Sequence, residues 1–149
     1  MYQINSKLAV HGFDWDWDKM EEIPTHNHEY DELNYGVITD PKFDKTGHKL
    51  DDWVILDCRT LLDDWVNPIE KYQELISWGM FFLQHDRKIV CCCSAGQSRS
   101  CSIALGILVG YFCMDFYDAW ELIKVKNPVC NIGMQHFDMI KKIFEVTLP

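Results

Sequence analysis

The sequence predicts an α/β domain built on a central, mostly parallel sheet flanked by helices. Three observations carry that expectation. Two short apolar runs, Trp53-Val-Ile-Leu56 and Lys88 to Cys92, have the length and composition of buried strands. Between them, Ile69 to Gln84 places apolar residues near helical spacing, so strand, helix and strand form one unit whose crossover sets the strands parallel. After the second run, a small-residue loop leads into Ser100 to Met114, which is apolar nearly all round, as a helix buried in a core is.

The elements follow in order. Leu8-Ala-Val10 is short and apolar and reads as an opening strand. Gly12 to Gly36 is dense in Asp, Glu, Trp and His, with turn signals at Pro24 and Asn27, and reads as irregular, with one helical turn at most. Pro41 to Asp52 is polar and reads as a loop. The strand from Trp53 ends at Asp57-Cys58, and Arg59 to Pro68 is a loop that contains the acidic pair Asp63-Asp64. The helix that follows carries Ile69, Tyr72, Leu75, Ile76, Met80, Phe81 and Leu83 as its apolar positions, and His85-Asp86-Arg87 closes it. Beyond the buried helix, Phe116 to Val125 forms another helix stopped by Pro128. Gly133 to Phe144 forms a last one, with Met134, Phe137, Ile140 and Phe144 on its apolar side. The 149 residues, 48% of them hydrophobic, suffice for one core and predict one domain over residues 1–149.

The stretch from Lys88 to Ser100 carries the chemistry. Cys93 and Arg99 bracket Ser94, Ala95, Gly96, Gln97 and Ser98 in a Cys-x5-Arg pattern. A loop of such small residues lets successive backbone N–H groups turn inward around an anion, and the helix after it adds the positive end of its dipole. Those same groups and a nearby guanidinium favour a thiolate over a thiol, which makes Cys93 a nucleophile. Arg99 supplies a planar fork for two phosphate oxygens that a lysine does not reproduce. The pattern is a phosphate cradle with a nucleophile at its floor, and it requires neither metal nor cofactor.

Cys93 to Ser100 resembles the signature of the cysteine-dependent protein phosphatases, and Ala95-Gly96 with Ser98-Arg99-Ser100 is similar to its dual-specificity branch. The tail matches too: Asn131 and Phe137 occupy the places of the family's closing region. The likeness covers residues 53–149, while residues 1–52 form a divergent, acidic part. The family usually has His before the nucleophile, where this chain has Cys92. The resemblance implies that Ser94 to Arg99 bind the phosphoryl group, that Ser100 stabilises the departing thiolate, and that Ser98 holds the loop's shape. It also implies a general acid on a loop about thirty residues before the nucleophile. Asp63 lies 30 residues before Cys93 and Asp64 lies 29 before it. Asp63 is favoured because its distance to Ile69 matches the family's spacing; Asp64 is second and Asp57 a distant third.

Charge and cysteine usage narrow the function further. Residues 1–64 hold 15 of the 23 acidic residues against 6 Lys and Arg, and residues 65–149 balance 8 against 8. Such acidity argues against nucleic-acid or membrane partners and leaves a phosphorylated protein as the expected one. The seven cysteines lack zinc-type spacing, and Cys91, Cys92 and Cys93 are adjacent, so they read as reduced thiols. Cys58 and Cys92 are candidate redox partners for Cys93. His26 and His28 have no third ligand in view and read as surface residues rather than a metal site. No signal-peptide pattern or membrane-length apolar run is present, which predicts a cytoplasmic or nuclear protein. The expected activity is hydrolysis of phosphotyrosine and phosphoserine or phosphothreonine in proteins. The alternatives are a phosphopeptide-binding module without turnover and a phosphatase for phosphoinositides or RNA 5′-phosphates. A loop without added Lys or Arg speaks against the phosphoinositide case. Arsenate reductase-like and rhodanese-like enzymes fit less well, through loop order and the Ser after Arg99.

Overall fold

Strand β6, Trp53–Asp57, and strand β7, Lys88–Cys93, lie side by side and parallel in the computed structural model of the protein. The structure describes residues 1–12 and 53–146, together with the backbone of three two-residue strands between them. Strand β2, Leu8–Gly12, pairs in parallel with the other edge of β7, in a register that sets Leu8 opposite Ile89 and Gly12 opposite Cys93. Two-residue edge strands, β1 (Tyr2–Gln3) and β5 (Val37–Ile38), add antiparallel pairings, giving the order β1-β2-β7-β6-β5. Strands β3 (Trp15–Asp16) and β4 (Glu21–Glu22) pair antiparallel as a separate ribbon, where the composition reads as irregular. The predicted loop over 41–52 and the histidines His26 and His28 lie outside the described residues.

Side-chain alternation divides the central strands between two cores. Leu8, Val10, Val54, Leu56, Ile89, Cys91 and Cys93 face the helices, while Ala9, Trp53, Ile55, Val90 and Cys92 pack together on the opposite face. Helix α1, Ile69–Gln84, has the predicted limits. Its buried side is Tyr72, Leu75, Ile76, Gly79 and Leu83, whereas Phe81, expected among the apolar positions, is exposed. Gly79 takes its place: a Cβ there would lie 2.5 Å from Ile107 Cδ1, so the bare backbone admits the neighbouring helix.

That neighbour, α2 (Arg99–Gly110), is the hub of the helical layer and is buried without a break from Ser100 to Leu108. It packs on α1, on α3 (Phe116–Lys126), on α4 (Met134–Ile143) and on strands β2 and β7. It ends before the predicted Met114. Cys113 adopts φ +56°, and the Met114 N–H returns to the Leu108 carbonyl six residues back, a closure of the kind a left-handed residue permits. A cysteine in the place glycine usually takes leaves no signal in the sequence. Helix α3 is capped by Asp115, whose carboxylate accepts the N–H groups of Tyr117 and Asp118. Helix α4 departs from expectation in the face it buries. His136 and Ile140, four residues apart, point inward, and Met134 is 69% exposed because it sits about half a turn from that line. Phe137 packs edge-on against Phe116 at 5.1 Å and is tilted over Trp120 at 4.8 Å.

Candidate active site

The last residue of β7 is Cys93, at the carboxyl end of a parallel strand, where open α/β sheets present their ligands. Its side chain is nearly buried, and its Sγ lies 3.2 Å from the Oγ of the fully buried Ser100 on the first turn of α2. Between them the chain turns over Gly96, whose φ of +70° and tight surroundings demand glycine. A Cβ on Gly96 would stand 2.9 Å from Gly12 N, and one on Gly12 would stand 2.7 Å from the Ala95 carbonyl carbon. The end of β2 therefore touches the loop backbone to backbone.

The rest of the loop is fixed from the other side. The Gly96 carbonyl accepts a hydrogen bond from Asn127 Nδ2 at 3.0 Å, the Gln97 carbonyl accepts the Asn131 N–H at 2.8 Å, and Ser98 Oγ accepts the Gly133 N–H at 2.8 Å. The segment after α3 is thus bonded to three consecutive loop residues, and the buried Asn127 is a contributor that spacing alone did not single out.

Arg99 joins this loop to the acidic one. Its Nη2 donates to Ser94 Oγ at 3.3 Å, its Nη1 donates to the Leu61 carbonyl at 3.0 Å, and its Nε lies 3.7 Å from Asp63 Oδ1. Of the two candidate acids, Asp63 is the one that reaches Arg99; Asp64 is exposed and makes none of these contacts. Asp57 is committed elsewhere, because Arg59 grips its two oxygens at 2.9 and 2.8 Å and the Arg59 N–H adds a third bond. Asp63 is half exposed and is held from below as well: His136 Nε2 lies 3.2 Å from its Oδ1, and the Gln135 side chain donates to its carbonyl. His136, Tyr72 and Asn67 were not singled out by the sequence, since each falls within a segment whose pattern reads as a helix face or a polar loop.

Structures of known proteins share this architecture over most of its length. A single-substitution variant of human DUSP28 matches with a TM-score of 0.66 over 97% of this chain and 93% of that one, at 11% identity. A leucine-rich-repeat and phosphatase-domain protein from Entamoeba histolytica matches with a TM-score of 0.60 over 97% and 89%, at 14% identity. The fold is that of the dual-specificity phosphatases. Against the human tyrosine phosphatase-like serine/threonine/tyrosine-interacting protein, the chain spans about half of the neighbour, 52%, at 19% identity and a TM-score of 0.49. No protein-family model matches the chain, and no curated protein matches it by sequence.

Within the dual-specificity phosphatase fold, the cysteines sort by face. Cys92 points to the side of the sheet opposite Cys93 and packs with Ala9, Trp53, Ile55 and Val90. Cys58 lies on the same side as Cys93, fully buried, and its thiol is held well above the usual range by burial, then by the Cys91 thiol beside it. Behind the loop, the Cys101 thiol donates to the Gly96 carbonyl at 3.6 Å and accepts from Asn127 Nδ2 at 3.2 Å. The neighbouring Cys130 thiol, aided by burial, holds Cys101 up, and Cys101 in turn draws Cys130 down, opposed by burial and aided by Lys124. Among the described residues, no three His, Cys, Asp or Glu side chains gather as a metal site, and no helix is long and apolar enough to cross a membrane.

Proposed function

We propose that the protein hydrolyses phosphate monoesters on protein side chains, phosphotyrosine and phosphoserine or phosphothreonine, through a cysteinyl-phosphate intermediate. The observation that carries this reading is Arg99, whose one guanidinium contacts the cradle loop at Ser94 and the acidic loop at Leu61 and Asp63. That one side chain bridges the loop that follows Cys93 and the loop that carries Asp63, which supports the reading.

The reaction follows from these groups. The Cys93 thiolate attacks phosphorus in line, an S–P bond forms, and the bond from phosphorus to the side-chain oxygen breaks as Asp63 gives that oxygen its proton. Loop amides and the Arg99 fork hold the equatorial oxygens, where charge builds in the transition state. Asp63, now a carboxylate, takes a proton from water; the water oxygen attacks phosphorus, the S–P bond breaks, and phosphate leaves. The Ser100 hydroxyl donates to the departing thiolate across the 3.2 Å contact. Residues 1–149 act in this scheme as one catalytic domain, with phosphorylated protein as the partner.

Turnover of p-nitrophenyl phosphate and of phosphotyrosine and phosphothreonine peptides tests the reading. Cys93→Ser should abolish hydrolysis while phosphopeptide binding persists. Asp63→Asn should lower kcat by roughly 10²–10⁴ on a poor leaving group, the range general-acid catalysis usually supplies. A wild-type protein that binds phosphopeptides tightly but turns none over would mark a binding module instead.

A further inference from the structure

Helix α4 buries a histidine where an amphipathic helix ordinarily buries an aliphatic residue. His136 is 0% exposed and lies between two partners from different elements. Its Nδ1 is 2.7 Å from the hydroxyl of Tyr72 on α1, also fully buried, and its Nε2 is 3.2 Å from Asp63 Oδ1. A buried imidazole could serve packing alone, but packing does not require both nitrogens to be aimed at polar groups of two other segments.

The direction of each hydrogen bond can be worked out from the donors. Asn67 Nδ2, which has only N–H groups to offer, lies 3.2 Å from the Tyr72 hydroxyl oxygen, so that oxygen accepts. Burial, the main influence, holds the Tyr72 hydroxyl above its ordinary range, with the Asn67 bond opposing and Asp63 reinforcing, so its own proton remains available. That proton points to His136 Nδ1. The imidazole's other nitrogen then carries its N–H toward Asp63 Oδ1; the Gln135 amide nitrogen also lies 3.4 Å from Nε2, but its closer partner is the Asp63 carbonyl, to which it donates. Asn67 also fixes the neighbouring backbone: its Oδ1 accepts the Leu62 N–H and its Nδ2 donates to the Leu62 carbonyl, both at 2.8 Å. The acidic loop is thus tied at Leu62, beside Asp63, and at Asp63 itself through the same chain of Asn67, Tyr72 and His136.

We propose that His136 is the positioning residue of the general acid: by holding Asp63 Oδ1 through Nε2–H, it leaves Oδ2 as the oxygen that carries the proton to the leaving group. The proposal rests on the phosphatase reading above. Arg99 Nε approaches the same Oδ1 at 3.7 Å, so the two donors that reach the carboxylate act on one oxygen. The Gln135 side chain, on the same turn as His136, holds the Asp63 carbonyl and limits rotation of the backbone beneath the carboxyl group. Orientation of this sort matters most when the leaving oxygen is basic and departs only as the proton arrives.

The test compares leaving groups. Phenyl phosphate leaves poorly without acid help, and p-nitrophenyl phosphate needs far less. His136→Phe should lower kcat on phenyl phosphate roughly ten- to hundredfold, part of the range expected for acid catalysis, while p-nitrophenyl phosphate changes by about threefold or less and KM stays level. His136→Gln, which returns an N–H near the Nε2 position, should recover most of the loss. Tyr72→Phe keeps the ring and removes only the hydroxyl; it should show the same asymmetry on a smaller scale and supplies the comparison if His136→Phe does not fold. Equal losses on both substrates, or none on phenyl phosphate, in a wild-type enzyme that turns both over would overturn the positioning role alone. A wild-type protein without turnover on either would overturn the phosphatase reading and this role with it.

Discussion

Seven cysteines in one small chain give very different environments to one chemical group, and the sequence distinguished only some of them. Cys93 was legible because Arg99 follows it at fixed spacing. Cys92 was partly legible, since neighbours on a strand face opposite ways, yet which face held the helices awaited the sheet register. The approach of Cys130 to Cys101 was not legible, because 28 residues lie between them and the packing of α3 against α2 brings them together. A reactivity map follows from these environments. Cys130, drawn down by the Cys101 thiol and by Lys124, should react with iodoacetamide at a lower pH midpoint than an unperturbed cysteine in a peptide. Cys58, raised by burial, should remain unmodified in the native protein at neutral pH. Cys93 should be carboxymethylated at neutral pH and protected by phosphate or vanadate. Mass-spectrometric mapping against time and pH checks all three. After mild peroxide, the same method should find no crosslink between Cys92 and Cys93.

At the scale of elements, short continuous apolar runs located the central strands, and apolar residues at helical spacing located α1. They missed what depends on contact between segments. Met134 and Phe81 fit an apolar face by spacing yet point outward, while Gly79 and His136 point inward because a helix or an acidic loop lies against them. Two glycines show how the kind of contact decides the consequence. Gly12→Ala would drive a Cβ into the Ala95 backbone at 2.7 Å, which only a shift of the phosphate loop relieves. Gly106→Ala meets Ile76 Cδ1, the far end of a flexible side chain that a rotamer change can move. Overpacking of this kind typically costs about 1–3 kcal/mol. Both variants should therefore melt earlier, but Gly12→Ala should also lose most of its kcat on p-nitrophenyl phosphate, whereas Gly106→Ala should keep it. Melting curves beside steady-state rates separate the two; equal retention of activity would mean that the contact between β2 and the loop does not set the loop's geometry.

For the molecule as a whole, the governing quantity is its charge, −9 at neutral pH. The sign was legible at once, whereas the side chains of the acidic residues between 13 and 52 lie outside what the structure describes. At low ionic strength the net charge sets the sign of the field that a substrate meets at a distance. The loop amides and Arg99 attract the phosphoryl group at contact distance, and they do so equally for every phosphopeptide, so this attraction cancels when two peptides are compared. What differs is the approach of the flanking residues through the field of the whole protein. A phosphopeptide flanked by Lys and Arg should therefore show a higher kcat/KM than one flanked by Asp and Glu. The gap should be wide at about 10 mM ionic strength, where the screening length is roughly 30 Å, and should narrow at about 0.15 M, where it is roughly 8 Å. A small aryl phosphate with no charge beyond its phosphoryl group, measured at both salt concentrations, corrects for any effect on Arg99 itself. If the acidic peptide were the better substrate at low salt, a local positive surface around the opening would have to outweigh the net charge. Substrate choice would then be set by residues within a few ångströms of the cradle rather than by the acidic first part of the chain.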